Sequence, residues 1–183
     1  MVAVGANRTP RASVLRYAEQ DASAIAQAFT SGLGPLGDSD VTLLLGRQAT
    51  SHRLNLALGA LANNPPEYVV IYFSGHGNTD GTGLADGHYH FATLAKWIAR
   101  IGAPYSITIL DSCHAAAYAR HARVGLGGLA GVLDLPWITA LASATPGSRV
   151  IFSTAADRLA SESDDIRHGR FTHALLRALV NAP

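Results

Sequence analysis

The sequence predicts an α/β fold: a three-layer sandwich with a mostly parallel central sheet of about six strands, flanked by helices. Two observations carry this expectation. Short, continuously apolar runs recur along the chain, as in "MVAVGA", "VTLLLG", "YVVIYF", "SITIL" and "RVIF". Between most of them lie longer segments whose apolar residues fall at helical spacing. Strands apolar on both faces need cover on both faces, and the crossovers that join parallel strands supply it as helices. A third observation, the length of 183 residues with 48% hydrophobic and 15% charged residues, fits one domain with a core of its own.

The elements follow in order. "MVAVGA" is a buried strand at the very start. Residues 17–30 form a helix with Ala18, Ala22, Ile25 and Phe29 on one face. Residues 40–46 are a strand, and residues 50–64 a helix capped by Thr50 or Ser51. Residues 65–77 are a strand that ends in a glycine-flanked histidine, and residues 78–90 read as loop. "FATLAKWIARIG" is a helix stopped by Gly102, and residues 105–113 are the fourth strand. Residues 124–148 give mixed signals, Gly-rich and then interrupted by Pro136 and Pro146. "SRVIFSTA" is a fifth strand, and "GRFTHALLRALV" a closing amphipathic helix with Phe171, Leu175 and Leu179 one turn apart.

Composition narrows the function. A net charge of +1 gives no support to nucleic acid or a membrane surface as partner. No run approaches the roughly 18 apolar residues of a membrane span, and the start lacks a basic leader. The one cysteine, Cys113, cannot make an internal disulfide, which fits a reducing cytoplasm.

In open parallel sheets the functional crevice lies beyond the carboxyl ends of the strands. There "VVIYF" is followed by "SGHG", and "SITIL" by "DSCH". A free thiol, with its pKa of ~8.5, needs a partner that favours the thiolate before it attacks a carbonyl. His76 is the expected partner, 37 residues upstream at the neighbouring strand end. Gly75 and Gly77 leave room for close substrate approach, and the amides of Gly77 and Cys113 are expected to face a developing oxyanion. Alone, Cys113 reads as a buried core residue and "GHG" as a turn; the pairing at adjacent strand ends favours chemistry. A zinc site drawn from His76, His88, His90, Cys113 and His114 matches no compact ligand spacing, so no metal is expected. Gly125, Gly127 and Ala130 satisfy a loose dinucleotide fingerprint, but no clear strand precedes them.

"YVVIYFSGHG" with "ITILDSCHAAA" resembles the caspase-like cysteine peptidases, and more closely their metacaspase branch, with "CHAAA" where that pattern reads CHSG. "AEQDASAIAQAF" resembles the family's first helix, and "VIFSTAADRLASE" through "GRFTHALLRAL" its last strand, loop and helix. The resemblance spans essentially the whole chain. It implies a single peptidase domain over 1–183, with a large-subunit-like part at 1–123, a linker region at 124–148 and a small-subunit-like part at 149–183. It implies Cys113 as nucleophile, His76 as general base or acid, and peptide hydrolysis through a thioester.

Asp21 lies at the margin of the first helix's apolar stripe, roughly 60° from its centre. Asp111 shares a sheet face with Cys113. By resemblance, Asp21, Ser74 and Asp111 line an acidic S1 pocket, which implies cleavage after Arg or Lys. Taken alone, Asp21 reads as a helix first-turn acid and Asp111 as a strand-end turn former. A basic P1 makes Arg120 and Arg123 candidate autocleavage sites. Calcium, which many metacaspases require, is not expected: Asp80 and Asp86 are available, but no acid lies between Cys113 and Asp134. The expected partners are a protein or peptide substrate and an activating protein or small molecule, in a bacterial stress or defence system. A catalytically silent interaction module is the rival expectation.

Overall fold

The computed structural model describes residues 1–10, 12–31, 36–78, 80–112, 136–153 and 162–180. Among them, five strands form one parallel sheet: β1 (Val2–Ala6), β2 (Thr42–Leu45), β3 (Tyr68–Gly75), β6 (Tyr105–Ser112) and β7 (Gly147–Phe152), in the order β2-β1-β3-β6-β7. All five coincide with the apolar runs read from sequence. Two short hairpins stand apart from the sheet, β4 (Gly81–Leu84) with β5 (Gly87–His90), and β8 (Glu162–Ser163) with β9 (His168–Gly169).

The helices divide between the two faces. α2 (Ser51–Asn63), α3 (Phe91–Ile101) and α4 (Pro136–Ala142) cover a core built on Val2, Val4, Ile71, Phe73 and Leu110. α1 (Ala18–Thr30) and α5 (Arg170–Val180) cover the opposite face through Ala3, Val70, Tyr72 and Ile109. Ala22 and Ile25 of α1 are buried there, and Phe29, Phe171, Leu175 and Leu179 pack against them, as the stripes of both helices require. Gly5 lets α1 lie directly on β1, because a Cβ at that position would stand 2.5 Å from the Ala18 carbonyl oxygen.

The helix signals are physical ones. The Thr50 hydroxyl accepts a hydrogen bond from the Arg53 N–H and caps α2. Gly102 ends α3 in the left-handed conformation, at φ 70°.

Two sequence expectations need correction. Residues 78–90 are not simply loop; they carry the β4–β5 hairpin, tied to the rest of the fold by Gly83 N–H to the His76 carbonyl and Ala85 N–H to the Ala49 carbonyl. Pro136, expected to interrupt its stretch, stands instead as the first described residue of α4, where a missing N–H costs nothing. None of the described helices is long and apolar enough to cross a membrane.

Candidate active site

β3 and β6 run side by side with Ser74 opposite Asp111 and Gly75 opposite Ser112. His76 and Cys113 are the next residues in sequence after that last pair. Cys113 itself, with His114, Arg120 and Arg123, lies outside the described residues.

His76 is half-buried, and its Nε2 lies 2.7 Å from the carbonyl oxygen of Ser13, in the segment before α1. A carbonyl only accepts, so Nε2 is the donor, and Nδ1 is the nitrogen free to take a proton when the ring serves as base. The His76 backbone is fixed as well, its carbonyl accepting from Gly83 N–H at 2.7 Å and from the Thr82 hydroxyl at 3.2 Å. Gly77 sits opposite Thr82 in an isolated antiparallel bridge. The bonds around that bridge run from Gly83 N–H to His76 and from Asn78 N–H to Gly81, so they do not use the Gly77 N–H. The bare Cα of Gly77 has a packing reason that the sequence did not reveal: a Cβ there would stand 2.5 Å from Ser112 Oγ. An open cleft of ≈ 470 Å³ lies beside it, lined by Thr9, His76, Gly77, Asn78 and His88 among others.

On the α1/α5 side of the same strand ends, the three sequence-nominated pocket residues do come together. Asp21 is 2% exposed, Ser74 6% and Asp111 5%, and all three line one cleft with Leu15, Gly75, Glu162 and Gly169. The cavity is small, ≈ 20 Å³, about the room a single water needs. Burial of two carboxylates demands partners. Asp21 accepts from His168 Nδ1 at 2.7 Å, from the Gly169 N–H at 3.1 Å and from the Ser74 hydroxyl at 3.3 Å. Asp111 accepts from the Thr172 hydroxyl at 2.6 Å, and Thr172 Oγ1 lies 2.6 Å from the Tyr72 hydroxyl.

These bonds offset the burial only in part. Desolvation raises the Asp21 carboxyl above its ordinary value against the pull of His168 and Gly169. Desolvation also raises Asp111 to about 6; the Thr172 hydroxyl pulls it down and the nearby Asp21 charge pushes it further up. Gly169 is the floor between the two acids, where a Cβ would lie 3.0 Å from Asp21 Oδ2 and 3.1 Å from Asp111 Oδ2.

Four of these residues escaped the sequence reading. His168, Gly169 and Thr172 hold the acids, and Glu162 accepts from the N–H groups of Arg16 and Tyr17 just before α1. The signal was the polar "RHGRFT" leading into an apolar helix. The two acids considered for calcium lie on separate tasks: Asp86 accepts from the Ser51 N–H at the start of α2, while Asp80 meets His88 and His90.

A parallel sheet covered on both faces, with a polar cluster at the carboxyl ends of two neighbouring strands, makes a three-layer α/β sandwich, the architecture expected of a caspase-like fold. Solved structures bear out the fold. A protein from Geobacter sulfurreducens (GSU0716) is similar at 21% identity and TM-score 0.67, covering 98% of this chain and 81% of that one. Caspase-1 from Spodoptera frugiperda is similar at 13% identity and TM-score 0.66, over 98% of this chain and 67% of the other. Its pro-form follows at 14% identity and TM-score 0.62, over 99% and 69%. No curated protein sequence matches the chain. The sequence does match the Caspase domain across residues 2–183, and the chain belongs to that family.

Proposed function

We propose that this caspase-type domain is an active cysteine endopeptidase that cleaves after Arg or Lys. The observation that carries the reading is the convergence of Asp21, Ser74 and Asp111 from three elements into one cleft beside the strand ends that precede His76 and Cys113. Two carboxylates held out of bulk water favour a cationic side chain strongly, because a guanidinium supplies the charge that their burial lacks.

In the proposed reaction, His76 Nδ1 takes the Cys113 thiol proton while the Ser13 carbonyl holds Nε2–H and the ring's orientation. The thiolate attacks the carbonyl carbon of the P1 residue, and the resulting oxyanion accepts from the Gly77 and Cys113 amides. His76 then protonates the leaving amine, and water hydrolyses the thioester. Because the S1 cleft as it stands holds about one water, an arginine enters only as its lining opens. The basic P1 reading supports assignment to the metacaspase branch, and an activating partner, a ligand or self-cleavage at Arg120 or Arg123 would supply the opening. The setting we propose is the bacterial cytoplasm, in stress or defence.

Labelling with a peptidyl-Arg chloromethyl ketone tests the reading. Intact mass and peptide mapping should place one adduct on Cys113, with none on Cys113→Ala. A folded protein that stays unlabelled, even after limited proteolysis to open the site, would instead make it a silent interaction module.

A further inference from the structure

The β4–β5 hairpin carries a second cluster, independent of the peptidase reading. His88 and His90 are two residues apart on β5, so both side chains project from one face. Gly81 pairs with His90 across the hairpin, which brings the preceding Asp80 beside them. His88 Nε2 lies 3.0 Å from Asp80 Oδ1, and His90 Nδ1 lies 2.9 Å from Asp80 Oδ2. The donor atoms of all three residues fall within 4.8 Å of one another.

We infer that Asp80, His88 and His90 form a binding site for a late first-row divalent cation such as Zn²⁺. A tetrahedral zinc with bonds of about 2.0–2.1 Å sets its ligand atoms roughly 3.3 Å apart. Each imidazole already stands within a few tenths of an ångström of that spacing from one Asp80 oxygen, His88 from Oδ1 and His90 from Oδ2, and rotation of the exposed rings brings both nitrogens and one carboxylate oxygen around a single ion. Two nitrogens and one carboxylate suit zinc and its neighbours, whereas calcium and magnesium prefer oxygen throughout.

The backbone holds the cluster ready. The Asp80 carbonyl accepts from Phe91 N–H at the start of α3, and the Asp80 N–H donates to Asn78 Oδ1. Gly81 leaves space for the His88 ring; a Cβ there would stand 2.5 Å from His88 Nε2. Three protein ligands leave at least one position for water or an external group, so this is an exchangeable site rather than a closed structural one. His88 also lines the cleft that His76 and Gly77 line, so a bound ion adds positive charge at its rim.

The test uses the full chain as Cys113→Ala, which removes the thiol as a competing ligand. Titration with Zn²⁺ against a chromogenic chelator should show one saturable equivalent. His90→Ala and Asp80→Asn, shown folded by circular dichroism, should weaken it by roughly 10-fold or more. In the Cys113→Ala parent, zinc should also shield His88 and His90 from diethyl pyrocarbonate, read by peptide mass. No saturable equivalent, equal affinity in the folded variants, or histidines that modify as fast with zinc as without it would each overturn the site.

Discussion

Asp111→Asn should make the protein more stable and less active, and both effects follow from one buried charge. The carboxyl is raised to about 6 from an ordinary 3.8, so the folded state resists its ionisation. A folded pKa above the unfolded one means that the unfolded chain binds fewer protons between those values, and stability falls as pH rises from about 4 to 6. At 1.36 kcal/mol per pKa unit the loss is at most about 3 kcal/mol, fully present above pH 6 and absent below about pH 4. The asparagine keeps the shape and an oxygen to accept from Thr172 Oγ1, without the charge. Urea unfolding at pH 7.5 and pH 4, followed by tryptophan fluorescence, reads the difference between wild type and variant. The variant should be more stable at pH 7.5 and equal at pH 4. On an Arg-P1 substrate its kcat/KM should fall roughly 30-fold or more, since removing one partner of a buried charge pair costs about 2–5 kcal/mol. A stability difference that does not change between the two pH values would refute the desolvated carboxylate. Unchanged kcat/KM would refute its role toward P1.

Three further outcomes are expected. Gly169→Ala places a Cβ about 3 Å from both acids while keeping the N–H that binds Asp21, so KM for Arg-P1 substrates should rise roughly tenfold, with the crowding costing about 1–3 kcal/mol in urea unfolding. Tyr72→Phe removes the buried hydroxyl beside Thr172 and should cost about 1 kcal/mol in urea unfolding while leaving the Thr172–Asp111 bond. Incubated wild type should show a nick by intact mass that is absent from Cys113→Ala and from the Arg120→Gln/Arg123→Gln double variant; a nick that persists in the double variant would place the cut elsewhere.

The sheet was legible because its strands read as short apolar runs, the inner β1 and β3 being buried on both faces. The edge that carries the proposed site stood out because two of these runs end in "SGHG" and "DSCH". Asp21 drew attention by standing at the margin of an apolar stripe, although a first-turn acid that merely favours the helix would read the same way. The β4–β5 hairpin was not legible. Gly81, Gly83 and Gly87 give its strands neither alternation nor β-propensity, and bonds to His76 and Ala49 hold it instead. The histidine–aspartate cluster was hidden for the same reason: linear spacing among the histidines does not show that Asp80 lies across the hairpin from His90. Thr172 looked like one polar residue in an amphipathic helix, and only tertiary contact sets its hydroxyl on Asp111. Pro136 was misread because a proline that opens a helix and one that breaks it look alike in sequence.

The most direct measurement is a fluorogenic peptide panel with Arg, Lys and Asp at P1, run on wild type and Cys113→Ala, with and without calcium. Hydrolysis after Arg and Lys by wild type alone is expected. Preference for Asp at P1, or turnover that survives loss of the thiol, would contradict it.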